Sequence, residues 1–339
     1  MKYFLLLTLT LVCFQNLRSQ PHWQNFESGS KSGLRGLYAV SEKVCWASGS
    51  DGTVLRTVDG GKTWEDRSVR GMENLQFRDI HAFGPDTAMV LSAGLPAVIC
   101  RTTDGGKTWL TVYENVDEGV FFDAMDFWNP KRGIAFSDAP GDRLLIIETI
   151  DGGRSWQALP QTVLPQVAPR QGGFAASGTC LKTIGESTVI IGLGGVSATV
   201  LLSRDFGRTW IKTRAPLDQG EPSQGIFSFT FKNEMEGFCV GGDYRADSLT
   251  SFNLAQTNDG GKSWFLTGDG GIIGKYRSCI AYLNEYTLVA VSRNGCSFSS
   301  SSGETWEDLE GSFYTVSVGT DGSVWASGPE GALAKLHYR

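Results

Sequence analysis

The side chains in this sequence that are equipped for chemistry are few, and most stand in loops. One charged loop reads Asp243-Tyr244-Arg245-Ala246-Asp247; another runs from Ser137 to Arg143 and carries Asp138, Asp142 and Arg143. Glu221 stands in a longer loop between them in sequence. Two carboxyl groups across a sugar ring are what glycoside hydrolysis needs; an arginine cluster with an activated tyrosine is the sialidase variant. Asp138, Asp243, Tyr244 and Glu221 are therefore the candidate catalytic set. Arg35, Arg78 and Arg277 each open a strand-like run. Together with Arg143, Arg170 and Arg245, they could cradle an anion or a peptide carboxylate, because the guanidinium fork matches a carboxylate. The plainer alternative is that these arginines pair with neighbouring carboxylates and tie the fold together.

Other chemistries find little support. The histidines are His22, His81 and His337, and no serine stands in a nucleophile elbow, so a Ser-His-Asp centre is not expected. Gly192 to Ser197 and Gly268 to Ile273 only approach a dinucleotide fingerprint, and neither opens a helix in a βαβ unit. No C-x-x-C pair or histidine cluster suggests a metal. The expectation is no metal and no cofactor. Beyond Cys13 the cysteines are Cys45, Cys100, Cys180, Cys239, Cys279 and Cys296, mostly within apolar runs, and read as small buried hydrophobes. Cys279 with Cys296 is the one disulfide worth testing.

The elements that must position these residues announce themselves by repetition. The pattern Ser/Thr-x-Asp-x-Gly-x-Ser/Thr-Trp occurs at Thr57–Trp64, Thr102–Trp109, Thr149–Trp156, Ser203–Trp210 and Thr257–Trp264, and in degraded form at Ser299–Trp306. A period of roughly forty to fifty-five residues marks one supersecondary unit that buries its apolar face on the next copy. Within the motif, Asp-Gly suits a tight turn needing positive φ, and the carboxylate can accept hydrogen bonds from its own turn. Asp59, Asp104, Asp151, Asp205 and Asp259 are thus read as turn staples. Trp64, Trp109, Trp156, Trp210, Trp264 and Trp306 are read as apolar anchors of the strand that follows. Ser301 stands where the sixth Asp is expected.

Composition agrees with an all-β chain. Of 339 residues, 43 are Gly and 11 Pro, as many short strands with tight turns require. A net charge of −6 without Lys/Arg runs argues against nucleic acid as a partner. Lys2, the apolar run Phe4 to Phe14 and Leu17-Arg18-Ser19 read as a signal peptide cut before Gln20. That run is too short to span a bilayer, and no other candidate span follows. The expectation is a secreted or periplasmic monomer with a signal peptide over 1–19 and one domain over 20–339.

Each unit shows the same grammar of four antiparallel strands, which is a propeller blade. Six units begin near Leu34, Phe77, Phe121, Phe174, Ile226 and Tyr276. A seventh starts at Phe313 and has only three strands before Arg339. His22-Trp23-Gln24-Asn25-Phe26 resembles the Trp strand of the other units and supplies the missing fourth. The fold class expected is an all-β, seven-bladed β-propeller of four-stranded antiparallel blades, closed by the N-terminal strand. The Asp motifs join third to fourth strands, which puts them on the face opposite the loops that lead into the innermost strands. The loops Gln161 to Gly173 and Ala215 to Gly225 should rim the channel on that second face.

These residues also carry a family resemblance. The Asp motif is similar to bacterial neuraminidase (Asp-box) repeats, also seen in sortilin ectodomains and xyloglucanases. The fuller unit, Leu34-Arg35 through Trp46-Ala47-Ser48-Gly49 and Gly52 to Thr57 into Asp-Gly-Gly-Lys-Thr-Trp, resembles the photosystem II stability/assembly factor family. Met125-Asp126-Phe127-Trp128, Phe174 to Thr179, Gly225 to Ser228, Gly241 to Arg245 and Tyr276-Arg277-Ser278 resemble a broader bacterial branch of that family, often labelled oxidoreductase. The resemblance implies a propeller and an assembly-factor-like role. Three functions stand side by side: a module binding a protein or peptide, with glycan as a further partner; a sialidase-like glycoside hydrolase; and an oxidoreductase, which only the label suggests. The first accounts for the repeats and for the lack of a catalytic signature.

Overall fold

A computed structural model describes residues 20–138, 141–246, 252–267, 270–271 and 273–338. The signal peptide read over Met1–Ser19 lies outside the described residues, as do Ala139, Pro140 and Asp247 of the two charged loops. The strands form seven four-stranded antiparallel sheets, and six follow chain order from inner to outer strand. Blade one runs Leu34–Ala39, Cys45–Gly49, Val54–Thr57 and Glu65–Asp66. The inner strands of blades two to seven are Gln76–Ala82, Phe122–Phe127, Leu181–Ile184, Gln224–Phe231, Cys279–Tyr282 and Thr315–Val318. In blade seven the outer strand is His22–Phe26, paired antiparallel with Leu333–His337, so the two ends of the chain close the ring within one sheet. Helix is confined to two short 3-10 turns, Gln161–Val163 and Pro329–Gly331, among the described residues.

The strands form because their apolar residues must be buried on both faces, against the blade before and the blade after. The core is accordingly divided among the seams. Trp46 and Val54 of blade one pack with Phe77, Ile80 and Val98 of blade two. The closure seam is built the same way, with Trp325 and Leu333 of blade seven against Leu34, Leu37 and Leu55 of blade one. Each inner strand keeps one edge toward the axial channel, capped in places by the next blade, as where Asp79 accepts the Met125 N–H at 2.7 Å and Asp126 the Thr183 N–H at 2.9 Å.

Each Asp motif folds as a staple. In blade one, Asp59 Oδ1 accepts the Thr63 N–H at 3.0 Å and Oδ2 accepts the Thr63 hydroxyl at 2.7 Å, while the Thr57 hydroxyl donates to Oδ1 at 2.9 Å. Thr57 Oγ1 in turn accepts the Gly61 N–H at 2.9 Å. The same bonds recur around Asp104, Asp151, Asp205 and Asp259. At the degraded copy the Ser301 hydroxyl accepts the Thr305 N–H at 2.9 Å, so one oxygen does part of the work of a carboxylate. Trp109 closes its turn by donating to the Arg67 carbonyl at 2.8 Å, which ties blade two to blade one.

Three expectations are corrected. The inner strand of blade four begins at Leu181 rather than near Phe174; residues 173–180 cross the ring axis instead, because they find partners on the other blades. The inner strand of blade six begins at Cys279, leaving Arg277 in the lead-in. Cys279 and Cys296 are free thiols, and they lie on strands separated by a third, Leu288–Ser292, which pairs with both.

Candidate functional site

Four of the inner strands carry a β-bulge near their start. The pairing registers slip between Leu34 and Gly36, Phe77 and Asp79, Phe122 and Ala124, and Ile226 and Ser228. The extra residues are Arg35, Arg78, Asp123 and Phe227. A bulge breaks the alternation of a strand and re-aims one side chain. Here it turns Arg35, Arg78 and Phe227 off the seams and into a cavity of about 370 Å³ over the ring axis, on the face opposite the Asp turns.

The floor of that cavity is an apolar cluster of Ala176, Phe227 and Tyr276 with Phe174 and Tyr244, set apart from the seams. The rings of Phe174 and Phe227 stack 3.9 Å apart at 7°, and Tyr276 meets Phe227 edge-on at 4.8 Å. Above the floor stand three arginines. The Arg35 guanidinium lies 4.0 Å over the Tyr314 ring and donates to the Ala176 carbonyl at 3.3 Å. Arg78 is braced by Gln76, to whose Oε1 it donates at 3.0 and 2.6 Å, and lies 5.8 Å from the Phe121 ring. Arg293, from the hairpin between the second and third strands of blade six, donates to the Tyr244 carbonyl at 3.2 Å. Burial and the neighbouring Arg35 charge lower the pKa of Arg78, against the opposing pull of Asp123.

The segment 173–180 closes the channel beneath this floor and is held by every blade around it. Ser177 donates to the Ser278 carbonyl at 2.9 Å, and Thr315 donates to the Ser177 carbonyl at 3.2 Å. Thr179 donates to Ser228 at 2.7 Å, and Gly173 N–H donates to Asp138 at 2.8 Å. Gly178, at φ +71°, lies so close to Asp79 that a Cβ there would sit 2.2 Å from its carboxylate, so no larger residue fits without moving it. Below lies a second cavity of about 230 Å³ in the axial channel. Its wall includes Asp126, paired with Lys182 at 3.1 Å and facing His81 at 3.7 Å. Burial above all pushes His81 down to about 4, and it is neutral at physiological pH.

The structure sorts the candidates from the sequence. Arg35, Arg78 and Tyr244 line the upper cavity. Arg277 does not. It is buried and donates to the Lys275 and Tyr276 carbonyls and, at 2.6 Å, to Ser297 on the third strand of its own blade. Arg277 is therefore a structural tie. Asp243 is turned into its own loop, accepting the Arg245 and Ala246 N–H groups at 2.9 and 3.2 Å. Arg245 is exposed and stands outside the cavity wall, as do Arg170 and Glu221. Arg143 donates to the Leu164 carbonyl and pins the long loop 161–173. Asp138 faces Asp123, away from solvent. The four residues proposed for hydrolysis do not converge: Tyr244 alone of them lines the cavity. Among the described residues no cluster of acids, histidines or cysteines could hold a metal.

Sequence reasoning missed Arg293 and the aromatic floor. Blade six reads Tyr276-Arg277-Ser278-Cys279, much as blade two reads Phe77-Arg78-Asp79-Ile80, yet only blade two bulges there. The visible signal for the bulges was the slip in alternation, apolar residues standing three apart in Leu34-Arg35-Gly36-Leu37 and Ile226-Phe227-Ser228-Phe229.

Comparison with known proteins agrees with this architecture. Residues 15–115 match the family model described as photosynthesis system II assembly factor YCF48. The chain is a seven-bladed β-propeller whose first third is similar to that family. Among solved structures, YCF48 bound to D1 peptide superposes with a TM-score of 0.67 at 16% identity, covering 92% of this chain and 96% of that one. YCF48 from Cyanidioschyzon merolae gives 0.67 at 19% identity, covering 93% and 99%. The WD40 β-propeller domain of Doa1 gives 0.66 at 11% identity, covering 95% and 98%. No curated protein matches the chain in sequence. Among the described residues no helix is long and apolar enough to cross a membrane.

Proposed function

We propose that the chain is a peptide- or protein-binding module that holds an anionic segment of its partner, such as a chain end or an acidic side chain, in the arginine–aromatic cavity. The observation that carries this reading is the gathering of Arg35, Arg78 and Arg293 over the stacked Phe174 and Phe227 rings. Guanidinium groups over a dry aromatic floor suit a carboxylate with an apolar neighbour. A cavity of about 370 Å³ admits one or two residues, so the rest of a partner would lie across the rim. The solved YCF48 with a D1 peptide supports a peptide as the kind of ligand this architecture takes. We further propose that the mature chain begins near Gln20 and acts in the periplasm or outside the cell, as residues 1–19 suggest.

The test is affinity for an acetylated alanine hexapeptide ending in leucine with a free carboxylate, measured beside its C-terminal amide. Binding of the acid and not the amide, lost in R35E/R78E/R293E, is expected. Equal binding of acid and amide, or an unaffected triple variant, would overturn the reading. N-terminal sequencing of protein from an envelope fraction tests the cut before Gln20.

A further inference from the structure

Asp123 is the fourth bulge residue and does not reach the cavity, because Gly173 covers it. Its side chain is wholly buried, and neither carboxyl oxygen has a well-formed hydrogen bond; the nearest N–H is that of Asp138. The polar group beside it is the carboxyl of Asp138. Asp138 accepts the Gly173 N–H at 2.8 Å. A Cβ on Gly172 would lie 2.3 Å from Asp138 Oδ1, and one on Gly173 would lie 2.6 Å from Asp123 Cγ. The two carboxyls thus press against the backbone that begins the channel-closing segment, whose next residues form the cavity wall. Two adjacent carboxyl groups in a dry site cannot both ionise at ordinary cost; one keeps a proton and shares it with the other. The charged and titratable groups facing the pair are Arg78 from blade two and Cys180 from the lead-in to blade four. Asp79 is felt through Cys180, and Arg35 through Arg78.

We propose that the Asp123–Asp138 pair is a proton-linked regulator of the arginine face: the shared proton leaves Arg78 available to an anionic partner, and its loss sets a second carboxylate against the same guanidinium. This rests on the anion-binding reading of the cavity. Burial first, then the Asp138 charge, pushes Asp123 well above the usual carboxylate range, and burial raises Asp138 as well. The direction follows. Raising the pH adds negative charge beside Arg78 and weakens capture of an anion. The nearest histidine, His81, is already neutral across this range and cannot mimic the effect.

The experiment follows two signals between pH 5 and 10 on the full-length mature protein. One is the carboxyl carbon shifts of Asp123 and Asp138 together with the Arg78 Nε shift. The other is affinity for the acetylated hexapeptide acid, whose own charge is constant there, in the wild type, D123N and D138N. The expected result is one proton lost well above the usual carboxylate range, with Arg78 shifting at the same midpoint. Wild-type affinity should fall roughly tenfold across that midpoint; D123N should be flat, and D138N, which leaves Asp123 buried but without its neighbouring charge, should move the midpoint down. Two carboxyls that titrate in the ordinary acid range, a proton kept to pH 10, or a variant that follows the wild-type profile would each overturn the proposal. Failure to bind at any pH, with the carboxyl and Arg78 shifts still moving together, would overturn the anionic-partner reading and this regulation with it, while leaving the shared proton measured. Should D123N not fold, the wild-type shifts and D138N decide alone.

Discussion

The two faces of this ring are built on opposite plans. On one, five aspartates and one serine repeat the same turn, each satisfied by its own neighbours. On the other, the blades diverge: blades one and two offer the bulge arginines Arg35 and Arg78, blade five Phe227 and Tyr244, blade six Arg293 and blade four a segment across the axis. The repeated face spends its polar groups on itself. The irregular face gathers like charges over a largely buried aromatic floor, an arrangement that an anionic partner would stabilise. The comparison teaches that in a repeat protein the loudest motif can mark the scaffold, while function is sought where the repeats diverge.

The sharpest way to break this comparison is charge reversal on the irregular face. R35E/R78E/R293E should lower affinity for the hexapeptide acid by a factor of about 100 or more, since each charge-assisted hydrogen bond contributes about 1.5–3 kcal/mol. Its melting temperature should stay close to the wild type, as calorimetry can check. Next in size, F174A removes one ring of the stacked pair and should cost roughly fivefold to tenfold in affinity, in line with about 0.5–1.5 kcal/mol for an aromatic pair. The companion F227A empties a buried site and should destabilise the fold by about 3–5 kcal/mol, so denaturant unfolding separates the two rings by role.

On the repeated face the sign reverses. D104A leaves the Thr108 N–H and two hydroxyls without their acceptor, so it should lower the melting temperature and spare the affinity. The turn hydrogen bonds hold Asp59, Asp104 and Asp151 down at about 2. Groups lowered in this way stabilise the fold above the unfolded carboxylate range near 4, and that contribution is lost as the pH falls through 2. Urea midpoints should therefore drop between pH 4 and 2, less steeply in D104A than in the wild type. The smallest expected effect is a gain. S301D restores the carboxylate at the degraded turn and should raise the melting temperature slightly, leaving binding unchanged.

The seven blades, the closing strand His22–Phe26 and the placing of the Asp turns opposite the lead-in loops were legible in the sequence, because each rests on local periodicity and on short-range turn chemistry. The site was legible in part. Arg35 and Arg78 stood out as charges breaking an apolar alternation. Arg277 did too, but whether a strand bulges or begins two residues later depends on neighbouring blades, and the local pattern is the same. Segment 173–180 read as a strand because its composition suits one; its departure across the axis follows from partners on the other blades, more than a hundred residues away in the case of Ser278 and Thr315. Asp138 read as a catalytic candidate in a charged loop because the sequence does not show that Asp123 lies against it.

The claim that binding belongs to the irregular face is tested most directly by mapping amide shifts of labelled protein as the hexapeptide acid is added. The account predicts changes concentrated at Phe174, Ala175, Ala176, Tyr244, Tyr276 and Arg293, with the Gly60, Gly105, Gly152 and Gly260 amides of the Asp turns unmoved. Shifts centred on those turn glycines, with the arginine face silent, would contradict it.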